Sequence, residues 1–461
     1  MEVANKKVLI IGAARSGVAC AKFLAGRGAV VALNDQKPFE EWGPDARALK
    51  DEGIGCVSGE VPGWLLDNVE LVVVSPGVPS KSIPIRYAER AGAEVIGEVE
   101  LASRYLKGRV VGITGSNGKT TTTALIGELL QDAGLTVQVG GNIGTPLISL
   151  VQSSSDEGWT VVELSSFQLE TIKDFHPTVA VVLNVTPNHM DRYESLTDYA
   201  AAKHRIFMNQ TPSDVAVLNA DDEIVSSWSA GLRAHVVKFS VGRELEEGLF
   251  LRGEDLVSST AAGEKVLLRR DEMALRGRHN VENVLAALAA GLACGASPES
   301  MRHTIQRFQP VEHRLEFVRE VGGVKFYNDS KATSVDATVK ALEAFADEAG
   351  KVILILGGKG KQAPYAPLAP LVKAHVRELI LIGEDAETIS KQLGEYAASQ
   401  RASDMQDAVN RGFAAAHPGD IVLLAPACAS FDMFESFEHR GRVFKDEVSS
   451  LQFRVPSSHA N

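Results

Sequence analysis

The 461-residue chain is poor in the features that would mark it as stapled, membrane-borne or polyanion-binding. Its 4 cysteines, Cys20, Cys56, Cys294 and Cys428, are spread along the chain with no Cys-x-x-Cys pair. That argues against a zinc knuckle or a disulfide framework and leaves reduced thiols as the expectation. No segment approaches the ~20 apolar residues of a membrane-spanning helix. The N-terminus runs through Lys6-Lys7 into the short strand Val8–Ile11 and a glycine turn, unlike the long apolar stretch of a signal peptide. A cytoplasmic protein without membrane insertion is expected. Positive charge is also in deficit, 47 Lys and Arg against 59 Asp and Glu, for a formal net charge of -12. Such a chain repels phosphate backbones, so it is no general nucleic-acid binder, and any anionic ligand must be held by local groups.

What the chain does have is regular alternation of short β-branched runs with helical patterns, which predicts parallel sheets covered by helices. A length prior of ~150 residues per domain suggests about three α/β blocks. We place them at residues 1–97, 98–311 and 312–461: a Rossmann-like block, a central, mainly parallel sheet of phosphate-loop ATPase type, and a second Rossmann-like block. In the first, strands Val8–Ile11, Val30–Asn34 and Leu71–Val74 end in Gly12 to Gly17, Asp35-Gln36-Lys37 and Ser75-Pro76-Gly77. Ligands of open parallel sheets bind beyond the carboxyl ends of strands, so a nucleotide-sized ligand is expected there. Ala14 replaces the middle glycine of the dinucleotide fingerprint while Asp35 keeps the place of a ribose-binding acid, so NAD and a different nucleotide are both open.

The central block carries the most specific signal. After the strand Arg109-Val110-Val111 comes Gly112-Ile-Thr-Gly115-Ser-Asn117-Gly118-Lys119-Thr120-Thr121, followed by an apolar helical pattern. Glycines let successive N–H groups converge on phosphate, the helix presents its positive end, Lys119 brings a mobile charge, and Thr120 offers a hydroxyl to Mg²⁺. Ile113 stands where the generic motif places its first glycine. Glu163 ends a buried-looking strand and is the best further oxygen ligand for a cation. His189 lies in a polar strand-end loop, where structural and ligating roles are both open. Lys203, in an apparent helix, would by itself be an ordinary solvated lysine.

Taken together, these motifs resemble the Mur ligases of peptidoglycan synthesis over nearly the whole chain. The resemblance is carried by the Gly-x-x-Gly-x-x-Gly-Lys-Thr loop, Gly141-Asn142-Ile-Gly144, Glu163 to Gln168, Asn188-His-Met-Asp-Arg-Tyr193, Lys203, Asn280 to Asn283, Glu312-His-Arg314, Asp329-Ser-Lys-Ala-Thr333 and Ser430 to Phe437. It implies ATP-dependent amide formation, in which the alanyl carboxylate of UDP-N-acetylmuramoyl-L-alanine is phosphorylated and then attacked by D-glutamate. The Asp-Asn-Pro-Arg motif of the diamino-acid-adding members is absent. By the same resemblance, Gly115, Asn117, Gly118, Lys119, Thr120, Thr121, Asn283, Arg314 and Asp329 hold ATP. Thr120 and Glu163 share one Mg²⁺, while His189 and a carbamylated Lys203 take a second, with Mn²⁺ as the alternative metal. Ser16, Asp35, Lys37, Ser75 and Gly77 match positions around the uridine nucleotide, Asn142 would contact substrate near the transferred phosphate, and Thr333, Lys361, Ser430 and Phe437 match D-glutamate contacts. A monomer is expected, and because the three blocks each bring ligands from strand ends, catalysis should require the third block to close on the central one and exclude water. Other classes weighed against it are a folylpolyglutamate-type ligase, a non-catalytic nucleotide switch and an NAD-linked dehydrogenase.

Overall fold

Val, Ile and Leu runs only four to six residues long, such as Leu71–Val74 and Val352–Gly357, are buried throughout, the mark of strands covered on both faces. They build three sheets in the computed structural model, which describes residues 1–79, 82–188, 192–275, 277–309, 312–345, 350–360 and 364–451. His189, Lys361 and the tail from Val455 to Asn461, expected to be disordered, lie outside the described residues.

The first sheet comprises β1 (Lys7–Ile11), β2 (Val30–Asp35), β3 (Gly55–Ser58), β4 (Leu71–Val74) and β5 (Glu94–Gly97), all parallel, in the order β3-β2-β1-β4-β5. The order reverses between β1 and β4, so a ligand crevice falls between the loops that leave those two strands.

The second sheet adds β6 (Arg109–Thr114), β7 (Val137–Gly141), β8 (Trp159–Glu163), β9 (Val179–Val182), β10 (Val215–Asn219), β11 (His235–Ser240), β12 (Gly248–Arg252), β13 (Asp255–Thr260) and β14 (Gly263–Arg269). Its order is β14-β13-β12-β11-β10-β9-β6-β8-β7, parallel except for the antiparallel edge β12-β13-β14. β6 is flanked by β8 and β9, so the loops that follow these three strands meet. Ile113 is strand rather than loop: it is fully buried in β6, in register with Glu163 of β8. A glycine there would weaken the strand, which is why the motif departs from the generic spacing.

The third sheet holds β15 (Glu316–Val321), β16 (Val324–Asn328), β17 (Val352–Gly357), β18 (Val376–Ile382), β19 (Ala398–Arg401) and β20 (Ile421–Leu424), in the order β15-β16-β20-β17-β18-β19. Only the β15–β16 hairpin is antiparallel. Short apolar strands were predicted at most of these places. β3, β5, β11, β15, β19 and the strands β12–β14 were not, because they are short or interrupted by polar and charged residues and take their strand form from pairing.

By packing, the chain forms two units, Met1–Ala274 with Glu282–Arg307, and Leu275–Val281 with Phe308–Asn461. The first two sheets belong to the same unit and share one apolar core, in which Leu24, Leu33 and Leu101 lie with Ile148, Leu164 and Phe175. Two buried acids stitch them together. Glu98 Oε1 accepts from the Ile148 N–H at 2.8 Å, and Glu100 Oε2 accepts from the N–H groups of Lys173, Asp174 and Phe175 at 2.8, 3.0 and 3.0 Å.

Candidate active site

The loop after β6 turns into the helix Lys119–Asp132 through Gly118, whose φ of +81° is a left-handed conformation natural to glycine. A side chain there would also collide with Asn283 Oδ1, itself an acceptor from the Thr122 hydroxyl at 3.3 Å. Lys119 Nζ folds back onto the carbonyls of Gly115 and Ser116 at 2.9 and 3.0 Å. The loop is moored by residues just past β9. Asn184 Oδ1 accepts from the Asn117 N–H at 2.8 Å and its Nδ2 donates to the Asn117 carbonyl at 3.3 Å. Ser116 donates to the Thr186 carbonyl at 2.9 Å and accepts from the Thr186 N–H at 2.9 Å. The sequence marks the strand end at Asn184 as a place for ligands but gives Asn184 and Thr186 no role of their own, since nothing local announces that their partners are Asn117 and Ser116.

Glu163, at the end of β8, is 2% exposed. Its Oε2 accepts from the Thr120 hydroxyl and its Oε1 from Asn142 Nδ2, both at 2.8 Å. The structure thus joins three of the predicted residues. A buried carboxylate and a hydroxyl at the mouth of a phosphate loop are the hard oxygen donors that Mg²⁺ prefers, so the residues fit the cation.

Lys203 requires a correction: it is 1% exposed, not a solvated surface lysine. The helix Leu196–His204, capped by Ser195, turns it inward, where Nζ donates to the Gly115 carbonyl at 2.8 Å and lies 4.4 Å from the Tyr199 ring centroid. Burial drives its ammonium well below the usual lysine range, nearby Lys119 pushes the same way, and Glu163 opposes them. The two lysines therefore converge on one carbonyl of the phosphate loop. The weak amphipathic pattern of Ala200-Ala-Ala-Lys203 gave no sign of this.

At the crevice of the first sheet, Asp35 Oδ2 accepts from the Ala13 N–H at 2.7 Å and Oδ1 from the Lys37 N–H at 3.0 Å. Ser75 donates to the Gly12 carbonyl at 3.0 Å, joining the turns after β1 and β4. Gly17, in the helix Arg15–Ala25 with Ser16, admits no side chain because a Cβ would strike the Gly12 carbonyl. Gly77 is exposed with open space about it.

In the second unit, Asp329, Thr333, Ser430 and Phe437 lie at or beyond the carboxyl ends of β16 and β20. Burial pushes Asp329 up to about 7 while Arg314 pulls it down. Lys331 Nζ sits 3.8 Å over the Phe437 ring. Arg440, unassigned in the sequence, is fully buried and donates to Ser330 Oγ and to the carbonyls of Ser330, Cys428 and Ala429. It pins the loops after β16 and β20 to each other; the only sign was its place in the Glu438-His-Arg-Gly441 run. Glu312 and Glu316 share Lys445 Nζ at 2.8 Å each, so their charge is met by an ammonium.

A phosphate loop flanked by a buried carboxylate, a buried lysine and a second nucleotide-type crevice defines a nucleotide-binding α/β protein built to handle phosphoryl groups. The chain belongs to the Mur ligase family. Residues 6–97 match the Mur ligase MurD-like N-terminal domain, 113–291 the Mur ligase middle domain, and 313–428 the Mur ligase glutamate ligase domain. The chain is 48% identical to the UDP-N-acetylmuramoylalanine--D-glutamate ligase of Acidobacterium capsulatum over 450 residues, 97% of each chain. It is also 48% identical to that of Solibacter usitatus over 453 residues, covering 98% of this chain and 99% of the relative. Its fold is similar to UDP-N-acetylmuramate-alanine ligase MurC from Thermotoga maritima, with a TM-score of 0.61, 19% identity and coverage of 96% and 99%. A MurF ligase from Thermotoga maritima in complex with ADP matches at a TM-score of 0.60 and 17% identity, covering 97% of this chain and 96% of that one.

Proposed function

We propose that this protein is the ligase that joins D-glutamate to UDP-N-acetylmuramoyl-L-alanine at the expense of ATP, in peptidoglycan precursor synthesis. The observation that carries the reading is the end-to-end likeness to D-glutamate ligases combined with the cluster of Lys119, Thr120, Asn142, Glu163 and Lys203 around one loop. Residues 1–97 would seat the nucleotide sugar, 98–311 ATP, and 312–461 D-glutamate. No described helix is long and apolar enough to cross a membrane; the setting we assign is the cytoplasm, with the protein acting as a monomer.

A carboxylate is a poor acyl donor because its leaving group would be an oxide. Transfer of the γ-phosphoryl group gives it a phosphate leaving group, which the amine of D-glutamate then displaces through a tetrahedral intermediate. The chain's part is to position reactants and neutralise charge. The phosphate loop and Lys119 cradle the phosphates, with Thr121 and Asn283 on the nucleotide. Arg314 and Asp329 complete the ATP site. Ser16, Asp35, Lys37, Ser75, Gly77 and Asn142 hold the nucleotide sugar, and Thr333, Lys361, Ser430 and Phe437 hold D-glutamate. Thr120 and Glu163 would bind one Mg²⁺ and His189 with carbamylated Lys203 another, supplying charge that offsets the phosphates. An amine pushed toward neutrality is the form that adds CO₂, so the burial of Lys203 favours the carbamate. Closing of the third block on the central one would keep water from the acyl phosphate, and small-angle scattering with and without ligands checks it.

With ATP and Mg²⁺, purified protein should release phosphate only when UDP-N-acetylmuramoyl-L-alanine and D-glutamate are both present. Release with L-glutamate or a diamino acid in place of D-glutamate would overturn the assignment.

A further inference from the structure

One side chain outside the residues assigned above joins the turn after β4 to the loop after β9. Arg192 Nη1 donates to the Pro76 carbonyl at 2.9 Å and Nη2 to the Val78 carbonyl at 3.2 Å. Nη2 also lies 3.4 Å from Glu170 Oε2, and the guanidinium carbon stands 4.0 Å from the Phe167 ring centroid. Tyr193, the next residue, donates to Glu170 Oε1 at 2.6 Å and stacks on Phe167 with centroids 5.9 Å apart. The side chain is only 16% exposed. Beside it is a cavity of about 10 Å³, the room of one water, lined also by Ser75, Glu98 and Gln168.

The chemistry of the site calls for arginine. In the turn Ser75–Val78 the Val78 N–H is already spent on the Ser75 carbonyl at 3.0 Å, and Pro76 has no N–H. What the turn presents outward is carbonyl oxygen, two residues apart. A planar fork meets both while lying flat on Phe167; an ammonium is a point charge that reaches one and does not stack.

The turn that Arg192 grips is the one whose Ser75 donates to the Ile11 carbonyl, at the end of β1, and to the Gly12 carbonyl of the first glycine turn. In the same stretch between β9 and β10, Asn184 and Thr186 moor Asn117 and Ser116 of the phosphate loop. Arg192 therefore ties the turn at the crevice of the first sheet to the same chain segment, between β9 and β10, that holds the phosphate loop through Asn184 and Thr186. We propose that Arg192 is a positioning residue for amide formation: it holds the turn that seats the nucleotide sugar at a fixed place relative to the phosphate loop. The carboxylate to be activated then arrives in line with the γ-phosphate. The proposal rests on the ligase reading given above.

The test compares wild type with Arg192→Ala, Arg192→Lys and Glu170→Gln in the full-length protein, varying ATP, UDP-N-acetylmuramoyl-L-alanine and D-glutamate in turn. A misplacement of the order of an ångström should lower kcat about 100-fold in Arg192→Ala, with KM for ATP within about twofold. Arg192→Lys should recover only part of that loss, and Glu170→Gln, which leaves both carbonyl contacts, should lose less than about fivefold. If Arg192→Ala melts earlier but keeps kcat within about threefold, the residue is structural cement and the proposal is wrong. Amide exchange in the absence of substrates gives a second readout: residues 75–79 and 183–188 should both exchange faster in Arg192→Ala while β10 and β11 do not. Acceleration in only one loop would overturn the tie. Should wild type release no phosphate with these substrates, the ligase reading fails, and the exchange experiment still decides whether Arg192 joins the two loops.

Discussion

Lys203 and Glu98 are both ionisable groups held almost wholly away from water, and each makes a distinct prediction. Lys203→Ala should abolish phosphate release, and a short-chain carboxylate added to the assay should restore part of it by standing in for the carbamate oxygen. Unchanged activity in that variant would remove the carbamate from the mechanism. For Glu98, burial pushes the carboxyl from 4.5 up to about 7, against the pull of the Ile148 and Leu147 N–H groups. The folded state therefore binds the proton more tightly than the unfolded one, so stability falls as pH rises from about 4.5 through 7 and stays lower above it. Glu98→Gln, which keeps an acceptor for Ile148, should thus gain up to about 3 kcal/mol at pH 8 and little at pH 4.5. Denaturant titration at the two pH values checks this, and an equal gain at both would show that the carboxyl holds its proton no more tightly in the folded protein than in the unfolded chain. Residues whose chemistry follows from a local motif, Lys119, Thr120 and Glu163, were legible in the sequence. Lys203 carried no local mark of burial, because its surroundings come from segments far away in the chain: Gly115 is 88 residues before it.

Among elements, the phosphate loop and the strands around it were the most legible, since a run such as Trp159–Glu163 has to be a strand buried on both faces to account for so many apolar residues before a single acid. The edge strands were not. Gly263-Glu-Lys-Val-Leu-Leu-Arg269 has mostly exposed side chains and takes its strand form from pairing with β13, a long-range partner that local pattern cannot reveal. The loop itself has a sharp tolerance. Gly118→Ala would force a left-handed residue to carry a side chain into Asn283, a strain of about 1–3 kcal/mol before the collision is counted. ADP affinity should fall roughly tenfold or more, measured by calorimetry. Affinity within twofold of wild type would mean that the loop reshapes around the methyl group.

In the whole molecule, the boundary drawn at residue 97 from the sequence marks where one sheet ends, yet the packing continues across it. Glu100, fully buried, takes three backbone N–H groups of Lys173 to Phe175 and pairs with Arg104 at 2.9 Å. Glu100→Gln should weaken all of these bonds and cost about 2–4 kcal/mol. In calorimetry the loss should appear in a single transition that carries the first and second sheets together. A separate early transition for residues 1–97 alone would show that the shared core does not couple them. The sequence could not disclose this sharing, because the apolar residues that meet there, Leu24 and Ile148 among them, look like ordinary core of their own blocks. The division of the chain also has a bearing on synthesis. The first unit includes Glu282–Arg307, while Leu275–Val281 packs with residues from Phe308 onward. On a ribosome, which releases the chain N-terminus first, every strand of the two leading sheets is out by Arg269, but the helical segment Glu282–Arg307 that finishes their unit follows seven residues, Leu275–Val281, that pack with a domain not yet translated. The first unit therefore stays unfinished from the release of Arg269, the end of its last strand, until the release of Arg307.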